Sequence, residues 1–214
     1  DYYDYVDLRA RGVPVIGIAI GDVSGHGVAS ALLMTAARAL LHSADLDPRA
    51  LDATLRKLNH NLANDVEAGR FMTLFILTFD LGTREITWVS AGHEPVHCYR
   101  SKDGAQFELA GNDIPLGVDR NWLYSACSSR DYLAGDVFLL ATDGAWEARA
   151  PSGERFGKQR LNNALRRFAH LSASEICSEI IRVIAAFRGT AAALDDTTVV
   201  IVKVREPGDN QAVA

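Results

Sequence analysis

Four aspartates stand out for where they sit in the chain. Asp22 lies in GDVSGHG, residues 21–27, between an apolar run at 13–20 and an Ala/Leu-rich run at 28–43. A strand of Val and Ile that ends in Gly-Asp, turns through Gly and Ser and opens a helix presents a carboxylate where backbone and ligand approach closely. Asp143 follows DVFLLAT, residues 136–142, an apolar run of the kind that fills a sheet centre, and is itself followed by Gly144. Asp195 stands before the strand-like run 199–204, and Asp1 opens the first strand. Taken singly, Asp-Gly and Asp-Asp are ordinary turn signals. Jointly they fall at the ends or beginnings of core strands, and in an antiparallel sheet those share an edge, so all four can line one rim. Two charges about 4 Å apart repel by roughly 4 kcal/mol at an effective dielectric near 20. Gathered carboxylates therefore call for cations or for raised pKa values. Oxygen donors without His or Cys are the hard set suited to Mg²⁺ or Mn²⁺ and ill suited to zinc.

The elements that must position these groups read as follows. Residues 2–8 and 13–20 form a hairpin about a turn at 9–12, which sets Asp1 almost opposite Asp22. Residues 28–43 carry Val28, Leu32, Ala36 and Leu40 on one helical face, with Leu33 and Ala37 beside them. A second helix after Pro48 has the stripe Leu51, Leu55, Leu58 and Leu62, and the short connection at 44–47 makes the two antiparallel. Strands at 71–79 and 85–91 flank a turn at 80–83, and strands at 96–100 and 106–109 flank Lys102-Asp103-Gly104. A loop at 111–118 precedes a strand at 122–129. Helices at 161–168 and 174–187 follow the run at 136–142, the latter opened by a capping box at Ser172 and Glu175. Sequential hairpins with paired helices between them are an α+β pattern, distinct from a doubly wound parallel sheet.

A chain of 214 residues, 48% apolar and without a Pro/Ser-rich linker, reads as one domain over residues 1–204 with a polar, fraying tail at 205–214. A net charge of −5 and scattered Lys and Arg argue against a nucleic-acid surface, and Arg160–Arg167 reads as a solvated helix face. Cys98, Cys127 and Cys177 have neither paired nor zinc-ligand spacing and read as reduced, mostly buried thiols of a cytoplasmic protein. No apolar run reaches the roughly 20 residues that span a bilayer, and no signal peptide precedes the first strand. The chain opens at Asp1 without Met, already strand-like, as a piece of a longer protein would.

DYYDY at 1–5, GDVSGHG at 21–27, FMTLFILTFD at 71–80, SAGHEP at 90–95, IPLGV at 114–118, LLATDGAWEAR at 139–149 and LDDTTVV at 194–200 together resemble the bacterial serine phosphatases of the SpoIIE/RsbU type, within the metal-dependent PP2C-like (PPM) phosphatases. The resemblance runs in order over nearly the whole chain. It implies a PP2C-like αββα sandwich of two mostly antiparallel β-sheets flanked by antiparallel helix pairs, with two Mn²⁺ or Mg²⁺ ions at one end. It implies that Asp22 bridges both ions and that the carbonyl of Val23 serves one. By the same resemblance Asp143 and Asp195 would hold the other ion, and Asp1 matches the acidic residue that closes the second site. Asp196 is the next candidate if the register of the Asp-Asp pair is off by one. Gly21 and Gly144 serve close backbone approach. The chain lacks the Gly-Gly and the further upstream strand usual in the family, and it carries Glu94 where Asn is commoner.

The implied reaction is hydrolysis of a phosphoserine or phosphothreonine monoester by a metal-bridging hydroxide attacking in line, without a covalent phosphoenzyme. His26 and His93 are candidate acids toward the leaving serine, or else they bond their own loops. The family's usual substrate is a phosphorylated STAS-domain anti-anti-sigma factor in stress signalling. A sensory or receiver domain commonly lies upstream, and the helix pair at 28–43 and 50–66 is where regulation or homodimerisation would act. Two other classes are weighed. A phosphatase-like module that binds a phosphoprotein or kinase without turnover is disfavoured by retention of Asp22, Asp143 and Asp195. A phosphate-cradling P-loop is disfavoured because GDVSGHG lacks Lys-Ser/Thr. Residues 127–130 also lack the spacing of a cysteine-phosphatase loop.

Overall fold

Period-2 alternation at the start of the chain, set against a second apolar run, gives the register from which the first sheet grows. The computed structural model describes residues 1–7, 12, 14–43, 47, 49–65, 69–130 and 132–205. The chain forms two compact units.

The first unit comprises Asp1–Pro95 and Ala110–Asp131. In it β1 (Tyr2–Asp7) pairs antiparallel with β2 (Val15–Val23), followed by helices α1 (Val28–Ser43) and α2 (Leu51–Asp65) and strands β3 (Met72–Asp80) and β4 (Glu85–Ala91). The four-residue helix-free run to Tyr99 and its partner belong to the second unit, as β5 (Val96–Tyr99) and β6 (Gln106–Leu109), and β7 (Cys127–Arg130) returns to the first. The first sheet has the order β1-β2-β3-β4-β7, antiparallel throughout. Alternate residues Met72, Leu74 and Ile76 of β3 pack in one cluster with Leu33, Ala37 and Leu41 of α1 and the full Leu51, Leu55, Leu58 and Leu62 stripe of α2.

The outward and inward faces of α1 differ from expectation. Val28 and Leu32 are 78% and 65% exposed, whereas Ser30, Leu33, Ala37 and Leu41 are buried. In a helix this rich in Ala and Leu, two adjacent apolar stripes are available, and contact with the sheet decides between them. The expected strand at 122–129 is shortened to β7 because Asp113 accepts Trp122 Nε1–H (3.0 Å) and the Ser125 N–H (2.8 Å), binding that backbone to its own loop. Fully buried Asn59 on α2 fixes the same segment, accepting the Gly117 N–H at 2.8 Å and donating to the Asp119 carbonyl at 2.8 Å.

The second unit comprises Val96–Leu109 and Tyr132–Ala214. Strand β8 (Val137–Ala141), the one-turn α3 (Gly144–Glu147), helices α4 (Lys158–Phe168) and α5 (Ala173–Arg188) and strand β9 (Val199–Lys203) complete it. Its sheet has the antiparallel order β6-β5-β8-β9, and Val137 and Leu139 of β8 pack with Leu161, Leu165, Ile176 and Ile180 of α4 and α5. The capping box at Ser172 and Glu175 is formed. The expected turn at 9–12 apart from Gly12, the connection at 44–47 apart from Asp47, the end of α2 beyond Asp65 and the tail beyond Arg205 lie outside the described residues. Of the three thiols, only Cys98 is buried, correcting the expectation of mostly buried cysteines, and burial pushes that thiol's pKa up. Among the described residues no helix is long and apolar enough to cross a membrane.

One ionic node ties the edge strand to α1. Asp4 Oδ2 meets His42 Nε2 at 2.6 Å, Tyr2 OH at 3.1 Å and Arg38 Nε at 3.3 Å, while Oδ1 accepts the Tyr5 N–H at 2.8 Å. Burial raises the Asp4 carboxyl, but the hydrogen bonds from His42, Tyr5 and Tyr2 outweigh it and hold the group below its ordinary 3.8. A carboxylate depressed in the folded state stabilises the fold above its unfolded pKa, and that stability is lost as pH falls through the folded value. Asp4→Asn is expected to cost about 1 kcal/mol at pH 7, a figure kept small by solvent screening. Urea denaturation should show the gap from wild type closing as pH is lowered beneath 3.8.

Candidate functional site

Strand β2 runs three residues past the hydrophobic stretch that announces it, through Gly21 and Asp22 to Val23, because β3 continues to pair with it. Gly21 stands opposite Leu74, and a Cβ there would fall 2.3 Å from the Thr73 carbonyl oxygen, well inside contact distance. Only glycine lets the two backbones lie this close. Asp22 pairs with Thr73, whose Oγ1 accepts the Asp22 N–H at 3.0 Å and sits 3.3 Å from the Asp22 carbonyl. The Asp22 carboxylate accepts the Val23 N–H at 2.8 Å, and the Asp1 backbone nitrogen lies 3.8 Å from its Oδ1. Asp1 and Asp22 are thus neighbours, as the hairpin register requires. The turn that follows is tied by hydroxyls: Ser24 Oγ accepts the Phe71 N–H at 2.9 Å, and Ser30 Oγ donates to the Ser24 carbonyl at 3.2 Å.

The two histidines fare differently. His26 is exposed at the tip of the turn. His93, 8% exposed, reaches across to Thr73, with Nδ1 at 2.9 Å from Oγ1, and so is one hydroxyl removed from Asp22. It does not merely brace its own loop. Nothing in the sequence marks Thr73 or its link to His93, since the only signal is a strand register fixed by packing.

In the second unit, β8 stops at Ala141, and Asp143 stands at the N-cap of α3 without a side-chain cap bond, two residues past the strand end. The helix is too short for its periodicity to show in sequence. Thr142 and Thr198 bond reciprocally: the Thr142 N–H donates to the Thr198 carbonyl and the Thr198 N–H to Thr142 Oγ1, both at 3.1 Å. This brings the Asp143-Gly144 backbone against residues 196–197. A Cβ on Gly144 would lie 1.9 Å from the Asp196 carbonyl oxygen. Asp195 accepts the Asp196 N–H at 2.8 Å. Asp143 and Asp195 both line a cavity of about 100 Å³, with Arg149, Arg188 and Thr197 in its wall. Asp196 is not in that wall, and it offers its backbone to Gly144.

Each unit therefore presents exposed or half-exposed aspartates on a backbone that admits only glycine beside them. Oxygen donors of this kind fit a hard divalent cation. Among the described residues no group of three or more His, Cys, Asp or Glu side chains is already drawn together as a metal cage.

Comparison with known proteins agrees with the fold. Residues 15–205 match the profile of the family Stage II sporulation protein E (SpoIIE), and the chain belongs to that family. It is 31% identical over 163 residues to phosphoserine phosphatase RsbU of Bacillus subtilis, covering 75% of this chain and 47% of RsbU, about half the length of that relative. The SiaA-PP2C domain of Pseudomonas aeruginosa superposes with a TM-score of 0.77 at 21% identity, over 96% of this chain and 79% of that one. RsbX, solved in complex with magnesium, superposes at 0.66 with 18% identity, over 94% and 84% of the two chains.

Gly144→Ala should cost about 1–3 kcal/mol or more, because the displaced neighbour is backbone and cannot rotate away. Thr73→Val, which removes the acceptor of the Asp22 N–H, should cost about 1–2 kcal/mol, with Thr73→Ser close to wild type. Chemical denaturation of the three variants checks both expectations, and a silent Gly144→Ala would contradict the close approach.

Proposed function

We propose that this SpoIIE-family chain is a metal-dependent protein serine/threonine phosphatase, with residues 1–204 acting as its catalytic domain. The observation that carries the reading is the matched pair of Gly-backed aspartates, Asp22 behind Gly21 and Asp143 before Gly144, each held on a backbone approach that excludes any side chain. Mn²⁺ or Mg²⁺, two per site, is the proposed cofactor, with Asp1, Asp22, the carbonyl of Val23, Asp143 and Asp195 as ligands. Asp195 is preferred to Asp196 because it shares a cavity wall with Asp143. When bound, the ions supply neutralisation of the phosphoryl oxygens and acidification of a water for in-line attack. The chain's own groups hold the donors still. Thr73 grips the Asp22 backbone at both its N–H and its carbonyl, and the Val23 N–H orients the carboxylate. His93 orients the Thr73 hydroxyl.

The proposed substrate is a phosphoserine or phosphothreonine on a protein, by family resemblance an anti-anti-sigma factor of the STAS type, in a cytoplasmic signalling pathway. The name of RsbU, phosphoserine phosphatase, supports the reaction class. An upstream sensory or receiver domain is proposed to act through α1 and α2, since α1 begins directly after the Asp22 turn. The exposed Val28 and Leu32 give α1 an outer apolar face on which such regulation or homodimerisation can act.

The test is Mn²⁺-dependent release of phosphate from p-nitrophenyl phosphate and from a phosphoserine peptide, with calorimetric titration of Mn²⁺. Asp22→Asn is expected to lower turnover by about 10²-fold or more and to weaken Mn²⁺ binding at least about tenfold. Equal Mn²⁺ binding by both proteins would remove Asp22 from the site. Phosphopeptide binding without turnover would assign the chain to a non-catalytic interaction module.

A further inference from the structure

The cavity lined by Asp143 and Asp195 contains two guanidinium groups that metal binding leaves unused. Arg188, the last residue of α5, is half-buried, and among the described residues its guanidinium has no hydrogen bond or ion pair. Arg149, also half-buried, donates Nη1–H to a neutral acceptor, the Gly153 carbonyl, at 3.1 Å. The third acid of the wall, Glu147, is engaged by Arg155 Nη1 at 2.9 Å. The negative end of the α5 dipole favours a cation at Arg188, but it does not account for a second one at Arg149. Residues 192–194, Ala-Ala-Leu, form a further side, and Leu194 is 74% exposed. Two guanidinium groups without acidic partners thus stand next to an apolar lip, in a space that suits a carboxylate and its methylenes and is too small for a nucleotide.

We propose that this cavity is a recognition subsite for the phosphoprotein substrate. It takes the side-chain carboxylate of an Asp or Glu near the phosphoserine, with Arg188 and Arg149 as its partners and an adjoining apolar residue of the substrate against Leu194. The inference rests on the phosphatase reading and extends it to substrate choice. Guanidinium groups held by neutral acceptors, or by none, keep their N–H donors for an incoming oxyanion, and charge complementarity then selects acidic sequences.

Phosphoserine peptides in which a single Glu or Gln is walked through the flanking positions test the proposal, together with their non-hydrolysable phosphonate versions read by fluorescence anisotropy. At one position or more, wild type should prefer Glu over Gln by about five- to tenfold in KM and in phosphonate binding. Arg188→Gln should erase the preference, and Arg188→Glu should transfer it to a Lys-bearing peptide, a gain that a misfolded protein cannot show. A wild type without a Glu preference, or a preference that survives Arg188→Gln combined with Arg149→Gln, overturns the subsite. Turnover without preference would sink the subsite and leave the phosphatase reading standing. Arg188-dependent phosphonate binding without turnover would do the reverse.

Discussion

Two backbone approaches, too close for any side chain, govern the candidate site. At Gly21 the carbonyl of Thr73 occupies the place of a Cβ, and at Gly144 the carbonyl of Asp196 does. Each contact locks a strand end to the chain beside it, so the aspartate next to the glycine inherits a position set by main chain. Main chain is the stiffest material available, because its dihedrals are already fixed by ladder hydrogen bonds. Side-chain contacts add to this at Asp22, where Thr73 bonds the backbone of its register partner. The sheet core behind, with Met72 and Leu74 buried, keeps Thr73 from sliding.

The acids of the chain divide according to who satisfies them. Asp136, 4% exposed, accepts from the Ser101 N–H, Ser101 Oγ and the Leu133 N–H, and Asp113 is saturated by Trp122 and Ser125. Such carboxylates close loops, and their charge is spent on N–H and O–H donors within the fold. Asp143 and Asp195 are exposed and line a cavity, and Asp195 accepts the amide N–H of its own neighbour. A carboxylate that the fold positions without neutralising is suited to a ligand that brings positive charge. Asp-Gly and Asp-Asp look alike in sequence whichever class they belong to, so this sorting needs the structure.

What could be read in the chain beforehand follows from the range of the interactions involved. The hairpins, the Leu51-to-Leu62 stripe, the capping box at Ser172 and the apposition of Asp1 with Asp22 depend on local periodicity or turn chemistry, and all are visible in sequence. The inward face of α1 was not, because Leu32 and Leu33 offer competing stripes and only contact with the sheet chooses Leu33. Residues 122–126 have strand composition, yet Asp113, nine residues before Trp122 and twelve before Ser125, binds them elsewhere. Thr73, His93 and Arg188 carry no motif of their own, since their roles come from strand register or from a helix end meeting a loop.

The Val23 N–H and the Thr73 hydroxyl, both neutral, fix Asp22, and the terminal ammonium of Asp1 lies 3.8 Å from its Oδ1. Had the fold fixed its carboxylate with Lys or Arg, the ion pair would compete with any cation for the same lone pairs and would cost desolvation to break. An amide N–H and a hydroxyl fix geometry while leaving the net negative charge in place. The cations beside the second unit's cavity are held apart from this role: Arg155 pairs with Glu147, Arg149 donates to the Gly153 carbonyl, and among the described residues neither Arg149 nor Arg188 forms an ion pair with an aspartate. On the proposed reading, Arg149 and Arg188 serve an anion while Asp143 and Asp195 serve a cation, all from one cavity wall.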